Sequence, residues 1–167
     1  EADLLSGMGR AYGMEVSLRK NTGKFTGWVG YTLGRTEMKV EGINRDNWYP
    51  TRFDQKHNLS LTGAYQATQR LSFSANFSYI TGTPTTFPTS RIEMQGYVVP
   101  HNAYESRNNI RIEDYHRLDL SVRLDGKKMR RGKVRQNESY WVFGAYNVYA
   151  RKNPFSIYFS QSNDRSV

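Results

Sequence analysis

His116, Asp119 and Ser121 stand close together in the chain and are the residue types of a hydrolase relay. Such a relay needs one imidazole within hydrogen-bond reach of both the hydroxyl and the carboxylate. The residues around them alternate apolar and polar, which is strand periodicity, and on a strand His116 points away from Asp119 and Ser121. The spacing speaks against acyl transfer, and no enzymatic activity is expected. His57 with Asp54 begins a metal site, but nothing supplies a third and fourth ligand at a recognisable spacing. The absence of cysteine excludes thiolate sites and disulfides. His57 reads as a polar residue at a strand end, and neither metal nor cofactor is expected.

The sharpest charge feature is Lys127, Lys128, Arg130, Arg131, Lys133 and Arg135. Phosphate groups of nucleic acid or lipid would suit it. No aromatics are interleaved to stack bases, so it reads as a solvated turn and no nucleic-acid partner is expected. Gly7-Met8-Gly9-Arg10-Ala11-Tyr12-Gly13 is glycine-rich but precedes a strand, where a phosphate-binding loop would precede a helix. Two of the three Asn-X-Ser sites, at Asn58, Asn76 and Asn137, fall inside strands and all three are set aside. Trp48, Tyr49 and Arg52, with Tyr97, His101, Tyr104 and Arg107, combine aromatic faces with hydrogen-bond donors in two long loops. That mixture suits a sugar, a peptide or a metal chelate, and these seven are the candidate substrate-binding residues.

The elements that must position them are strands. In residues 57–80, Leu59, Leu61 and Tyr65 share one face, and Asn58, Ser60, Thr62 and Gln66 the other. After a polar turn near Ala67–Arg70, Leu71, Phe73, Ala75, Phe77 and Tyr79 oppose Ser72, Ser74, Asn76 and Ser78. This is a hairpin with one oily and one wet face, its arms about ten residues long, as a tilted membrane-crossing strand requires. Strands are expected near 10–20, 24–38, 55–67, 70–81, 114–125 and 139–149. Trp28 falls on the wet face of the second strand and breaks its pattern. Tyr140–Tyr146 is apolar on both faces and has no orientation from sequence.

The connections alternate in length. Asn21-Thr22-Gly23 and Ala67–Arg70 are short, 39–54 and 82–113 are long, and Gly126–Arg135 is a basic turn of medium length. Outer-membrane barrels place short turns on the periplasmic side and long loops outside. A sandwich has no reason to segregate them so. Mean hydropathy is low and no run reaches the length of a membrane helix, but alternation lowers the hydropathy of barrel strands as well. Twelve tyrosines and eight phenylalanines would furnish interfacial girdles or a sandwich core. The net charge of +9 favours an anionic partner.

With the strands placed, the chain resembles the C-terminal part of the barrel of TonB-dependent outer-membrane transporters of the type abundant in Bacteroidota. The resemblance rests on Gly9-Arg10-Ala11-Tyr12-Gly13-Met14-Glu15, Trp28-Val29-Gly30-Tyr31-Thr32-Leu33 and Phe53-Asp54-Gln55-Lys56-His57-Asn58-Leu59-Ser60. Tyr79-Ile80-Thr81-Gly82-Thr83-Pro84, Asp114-Tyr115-His116-Arg117-Leu118-Asp119-Leu120-Ser121 and the run from Tyr146 to Phe155 complete it.

The resemblance implies an all-β antiparallel meander of about six long transmembrane strands within a 22-stranded barrel. Residues 39–54, 82–113 and 150–167 would then be extracellular loops. It implies energised uptake of a large nutrient of siderophore, glycan, peptide or vitamin type. The implied partners are outer-membrane lipid, a plug domain, the remaining strands, the TonB complex and, in some members, a surface lipoprotein. The chain opens without Met or a signal peptide and shows no closing strand, so it is expected to be an interior piece lacking the plug and last strand. Three alternatives stand beside it. They are a barrel turned scaffold or secretion partner, a soluble β-sandwich binding anionic polymers through Lys127–Arg135, and an outer-membrane hydrolase.

Overall fold

The computed structural model describes residues 5–88, 90–94, 97–101, 107–127, 129–130, 133–134, 137–154 and 157, with backbone only at 91, 94, 97–101, 129–130 and 133–134. The described chain is all-β. Six long strands carry it: β1 (Gly7–Lys20), β2 (Phe25–Val40), β3 (His57–Gln66), β4 (Leu71–Ile80), β5 (Tyr115–Asp125) and β6 (Tyr140–Ala145). They pair antiparallel in chain order, and Tyr49–Pro50 adds a seventh short strand against β2. No sheet closes on itself among the described residues; β1 and β6 are its edges. No helix among them is long and apolar enough to cross a membrane.

Register turns the sequence alternation into two chemically distinct surfaces, because side chains of paired residues share a face. Leu18, Val29, Leu61, Phe77 and Leu118 form one row across β1 to β5. Phe25, Tyr65, Phe73, Val122 and Phe143 form another, and Leu71, Leu124 and Trp141 a third. The opposite face carries Trp28, Thr62, Asn76 and Asp119 in one row and Gly30, Ser60, Ser78 and Arg117 in the next. Phe73 and Leu120 lie on strands flanked by neighbours on both sides, yet remain 43% and 42% exposed. Among the described residues no second layer of strands packs on the apolar face.

The strand that sequence could not orient is placed by its partner. Trp141, Phe143 and Ala145 pair with Leu124, Val122 and Leu120 on the apolar face, which sets Tyr140 and Val142 on the polar one. Trp28 does lie on the polar face: its ring folds over residue 30, where a Cβ would stand 2.8 Å from Cζ3. Glycine at that position gives the indole its seat. β6 ends at Ala145, several residues before the expected end near 149. There Asn147 adopts φ 51°, and its N–H donates to Asp119 Oδ1 at 2.9 Å, which turns the chain out of the ladder.

The connections 82–113 and 126–139 contain structure of their own. Pro84–Thr85 pairs with Ile110–Arg111, and Ser90–Met94 with Tyr97–His101, so the described part of 82–113 is an arm of two short antiparallel ladders. In the basic connection Met129–Arg130 pairs with Lys133–Val134. The buried side chains Ile43, Tyr49, Glu37, Asp54 and Thr81 all lie at the long-loop end. What core the described chain has is there, and not along the sheet.

Candidate functional site at the long-loop end

β2 runs past Leu33, the last residue it pairs with β3, and carries Arg35 and Glu37 beyond the apolar rows. Two arginines neutralise the buried Glu37. Arg10 donates from Nε and Nη2 at 2.8 and 2.6 Å, and Arg35 from Nε at 2.9 Å. The Arg10 guanidinium also lies 4.2 Å from the Trp48 ring centroid, a cation–π contact that fixes the indole. Tyr49–Pro50 then pairs with Met38 and Glu37, folding the loop back along its own strand.

The turn at the tip of this loop is left-handed. Asn44, Arg45 and Asp46 have φ of 53°, 54° and 59°. L-residues adopt that region at a cost of roughly 1–2 kcal/mol each, least for Asn and Asp. Side chains hold it: Gly42 N–H donates to Asp46 Oδ1 at 2.8 Å, and Asn44 clasps the backbone of Arg107. In that clasp Arg107 N–H donates to Asn44 Oδ1 at 2.8 Å, and Asn44 Nδ2 donates to the Arg107 carbonyl at 3.1 Å. Asn108 Nδ2 donates to the Pro50 carbonyl at 2.7 Å. The two long loops are thereby fastened together.

Asp54 is the hub beneath them. It is 0% exposed, accepts the Thr36 N–H at 2.5 Å and pairs with Arg111 across 57 positions of sequence. Arg111 Nη1 also donates to the carbonyls of Asp54 and Gly82 at 3.0 Å each. The planar guanidinium makes this possible, since it presents several donors in fixed directions. Beside it Asp114 accepts the Tyr79 hydroxyl at 2.5 Å and the Gly82 N–H at 2.9 Å. These hydrogen bonds, the tyrosine's first, hold its carboxyl below the usual carboxylate range. Gly82 is packed so closely that a Cβ would collide with the Ile112 carbonyl.

The loop candidates fall into different environments. Tyr49 is 2% exposed, with no partner for its hydroxyl among the described residues, so it packs inward. Trp48 is half-buried under Arg10. Arg52 is exposed, 5.3 Å above the Phe53 ring, and Arg107 is exposed with its backbone held by Asn44. The structure brings the Trp48–Arg52 segment and Arg107 together through Asn44, Pro50 and Asn108. The side chains of Tyr97 and His101, and the whole of Tyr104, lie outside the described residues.

Glu37, Arg111 and Asp114 were not singled out from sequence. Their only signal there is a charge beside an otherwise regular strand.

The catalytic and metal candidates are spent on structure. His116 Nδ1 meets the Tyr149 hydroxyl at 2.8 Å on the apolar-face side. Across the sheet Asp119 holds Arg117 and Asn147, and Ser121 hydrogen-bonds Ser74 at 2.7 Å. His57 Nδ1 meets the Tyr31 hydroxyl at 2.8 Å. No cluster of three metal-ligating residues occurs among the described residues. Of the basic cluster, Lys128, Arg131 and Arg135 lie outside the described residues. Chemically, the long-loop end orders loops and presents exposed guanidinium and aromatic groups. Searches of protein-family models, curated proteins and solved structures found no match.

Proposed function

We propose that this chain is a wall segment of a TonB-dependent type outer-membrane transporter, its apolar face against acyl chains and its Ser/Thr/Asn face toward a hydrated interior. One observation carries the reading: large apolar side chains such as Tyr65, Phe73, Leu120 and Leu124 stay exposed on interior strands, while the buried side chains among the described residues lie at one end. The height of the apolar surface is comparable to a bilayer's: from Phe25 to Leu33 β2 advances about 26 Å, or about 20 Å at the usual barrel tilt, against an apolar band of about 25 Å. Its upper edge is amphipathic, with Tyr31 on His57, Tyr79 on Asp114 and Tyr149 on His116. That is the chemistry suited to a membrane–water boundary.

The open edges of β1 and β6 would be paired by further strands, because unpaired backbone is not tolerated in hydrocarbon. The clasped loops 41–56 and 81–114 would form part of the outward mouth, with Arg52 and Arg107 offered to a large nutrient. Uptake would be driven through a plug and the TonB complex, and the wall itself would perform no bond chemistry.

Single-cysteine labelling along β4 of the full-length protein in bilayers tests this, since residues 1–167 contain no competing thiol. Phe73→Cys and Phe77→Cys should react with a lipid-soluble maleimide and resist a charged one, and Ser74→Cys and Asn76→Cys the reverse. Uniform reactivity with the charged reagent, in protein that is monomeric without detergent, would refute the reading.

A further inference from the structure

At the short-turn end the apolar face stops at Leu71, Leu124 and Trp141, and the chain turns into the basic connection 126–139. A recess of about 440 Å³ opens there between Leu124, Trp141, Arg70 and Lys127. Leu124 and Trp141 give it an apolar side, Trp141 68% exposed, and Asp125, Gly126 and Ser139 complete its lining. Arg70 also borders a second recess, lined by Lys24, Arg123 and Tyr140 on the polar-face side, so it stands at the rim between the two faces. Its Nε donates to the Asp125 carbonyl at 2.7 Å.

The nearby acid does not cancel this charge. Asp125 belongs to the polar-face parity of β5, where its carboxylate takes Arg123 at 2.9 Å. Residues 126–139 hold Lys127, Lys128, Arg130, Arg131, Lys133 and Arg135 against a single acid, Glu138.

We propose that this rim is a docking site for an anionic phospholipid, the headgroup phosphate held by Arg70 and Lys127 and the acyl chains lying along Leu71, Leu124 and Trp141. The argument is charge complementarity at the edge of an apolar surface. Cations that merely solubilise a turn need no oily wall beside them, whereas a lipid uses both at once. A soluble polyanion would meet the charge and leave the wall unused. The inference rests on the proposed membrane placement of the apolar face.

The test uses full-length protein in nanodiscs of phosphatidylcholine mixed with phosphatidylglycerol, with the lipids that stay bound after detergent extraction counted by mass spectrometry. Phosphatidylglycerol should be enriched over its bulk fraction. Each of Arg70→Gln and Lys127→Gln should cut the enrichment about fivefold, and Lys39→Gln at the opposite end should leave it unchanged. Lys127 is exposed, so its variant reports on binding even where Arg70→Gln impairs folding. Insertion with equal retention of the two lipids, or with Lys127→Gln matching the parent, overturns the site and leaves the barrel reading standing. Failure to enter the bilayer overturns both.

Discussion

Removing Arg111 should release the long arm from the sheet without unfolding the sheet. Its partner Asp54 is fully buried, whereas the arginine side chain keeps 27% of its exposure. Deleting one member of a buried pair costs about 3–5 kcal/mol, because the remaining charge loses its counterion. Here Asp54 would keep the Thr36 N–H, and water could reach the vacated side, so Arg111→Met belongs at the low end, about 3 kcal/mol. That is roughly a 150-fold rise in the opening equilibrium of the loops.

Arg111→Lys keeps the charge but not the fork that also reaches the carbonyls of Asp54 and Gly82, and should cost about 1–2 kcal/mol. Amide hydrogen exchange in the bilayer-reconstituted protein reads the effect. The Asp54 N–H, bonded to the Thr51 carbonyl, and the Ile112 N–H, bonded to the Thr83 carbonyl, should lose protection. The Phe77 N–H in the middle of β4 should not. Adding Asp54→Asn to Arg111→Met should recover part of the loss, since no buried charge then stands alone. Protection within about twofold of the parent in Arg111→Met would refute the claim that this pair fastens the arm.

Two further perturbations address the same end. Gly82→Ala drives a methyl into the Ile112 carbonyl and should destabilise the arm by about 1–3 kcal/mol, seen as faster proteolysis within 84–111 at unchanged sheet stability. Acid should act through Asp114. Its folded pKa is depressed, so its contribution is full above the ordinary carboxylate value and fades as pH falls through the lower folded one. Proteolytic release of the arm should therefore rise below about pH 4, and Asp114→Asn should remove much of that pH dependence.

The sheet was legible because its signal is local. Along Leu59–Tyr65 and again along Leu71–Tyr79 every second residue is apolar or small, so face and strand can be read from neighbours in sequence alone, and the register keeps those faces. Tyr140–Ala145 was opaque because both its faces carry large side chains; only pairing with β5 decides between them. The candidate site resisted reading for a different reason. Arg111 and Asp54 are 57 positions apart and Asn44 and Arg107 are 63 apart, and the two-residue ladder at Pro84–Thr85 is too short to show a period. Tyr49 looked like a ligand-binding aromatic, and nothing in its neighbours announces that it packs inward. A side chain's exposure in a long loop depends on the second loop that lies against it.

The distribution of burial bears on which medium the sheet was selected for. Folding in water is driven chiefly by withdrawing apolar side chains, about 1.5–3 kcal/mol for each large one fully buried. Along β3, β4 and β5 that gain is only partly realised: Leu61, Phe77 and Leu118 are half-buried, Phe73, Leu120 and Leu124 stay open, and the reverse face offers Ser, Thr and Asn, which could not seal a core. The groups that are withdrawn are instead polar and paired, Glu37 with two arginines and Asp54 with Arg111. A soluble sheet built this way would leave part of its largest favourable term unused while bearing the desolvation of buried charges. In a bilayer the exposed rows meet acyl chains, the ladder satisfies the backbone where water cannot, and charged groups gather where the strands emerge into water. Under the proposed membrane placement the same pattern is favourable, and the strand-end positions of Arg35, Glu37 and Asp114 accord with that proposal.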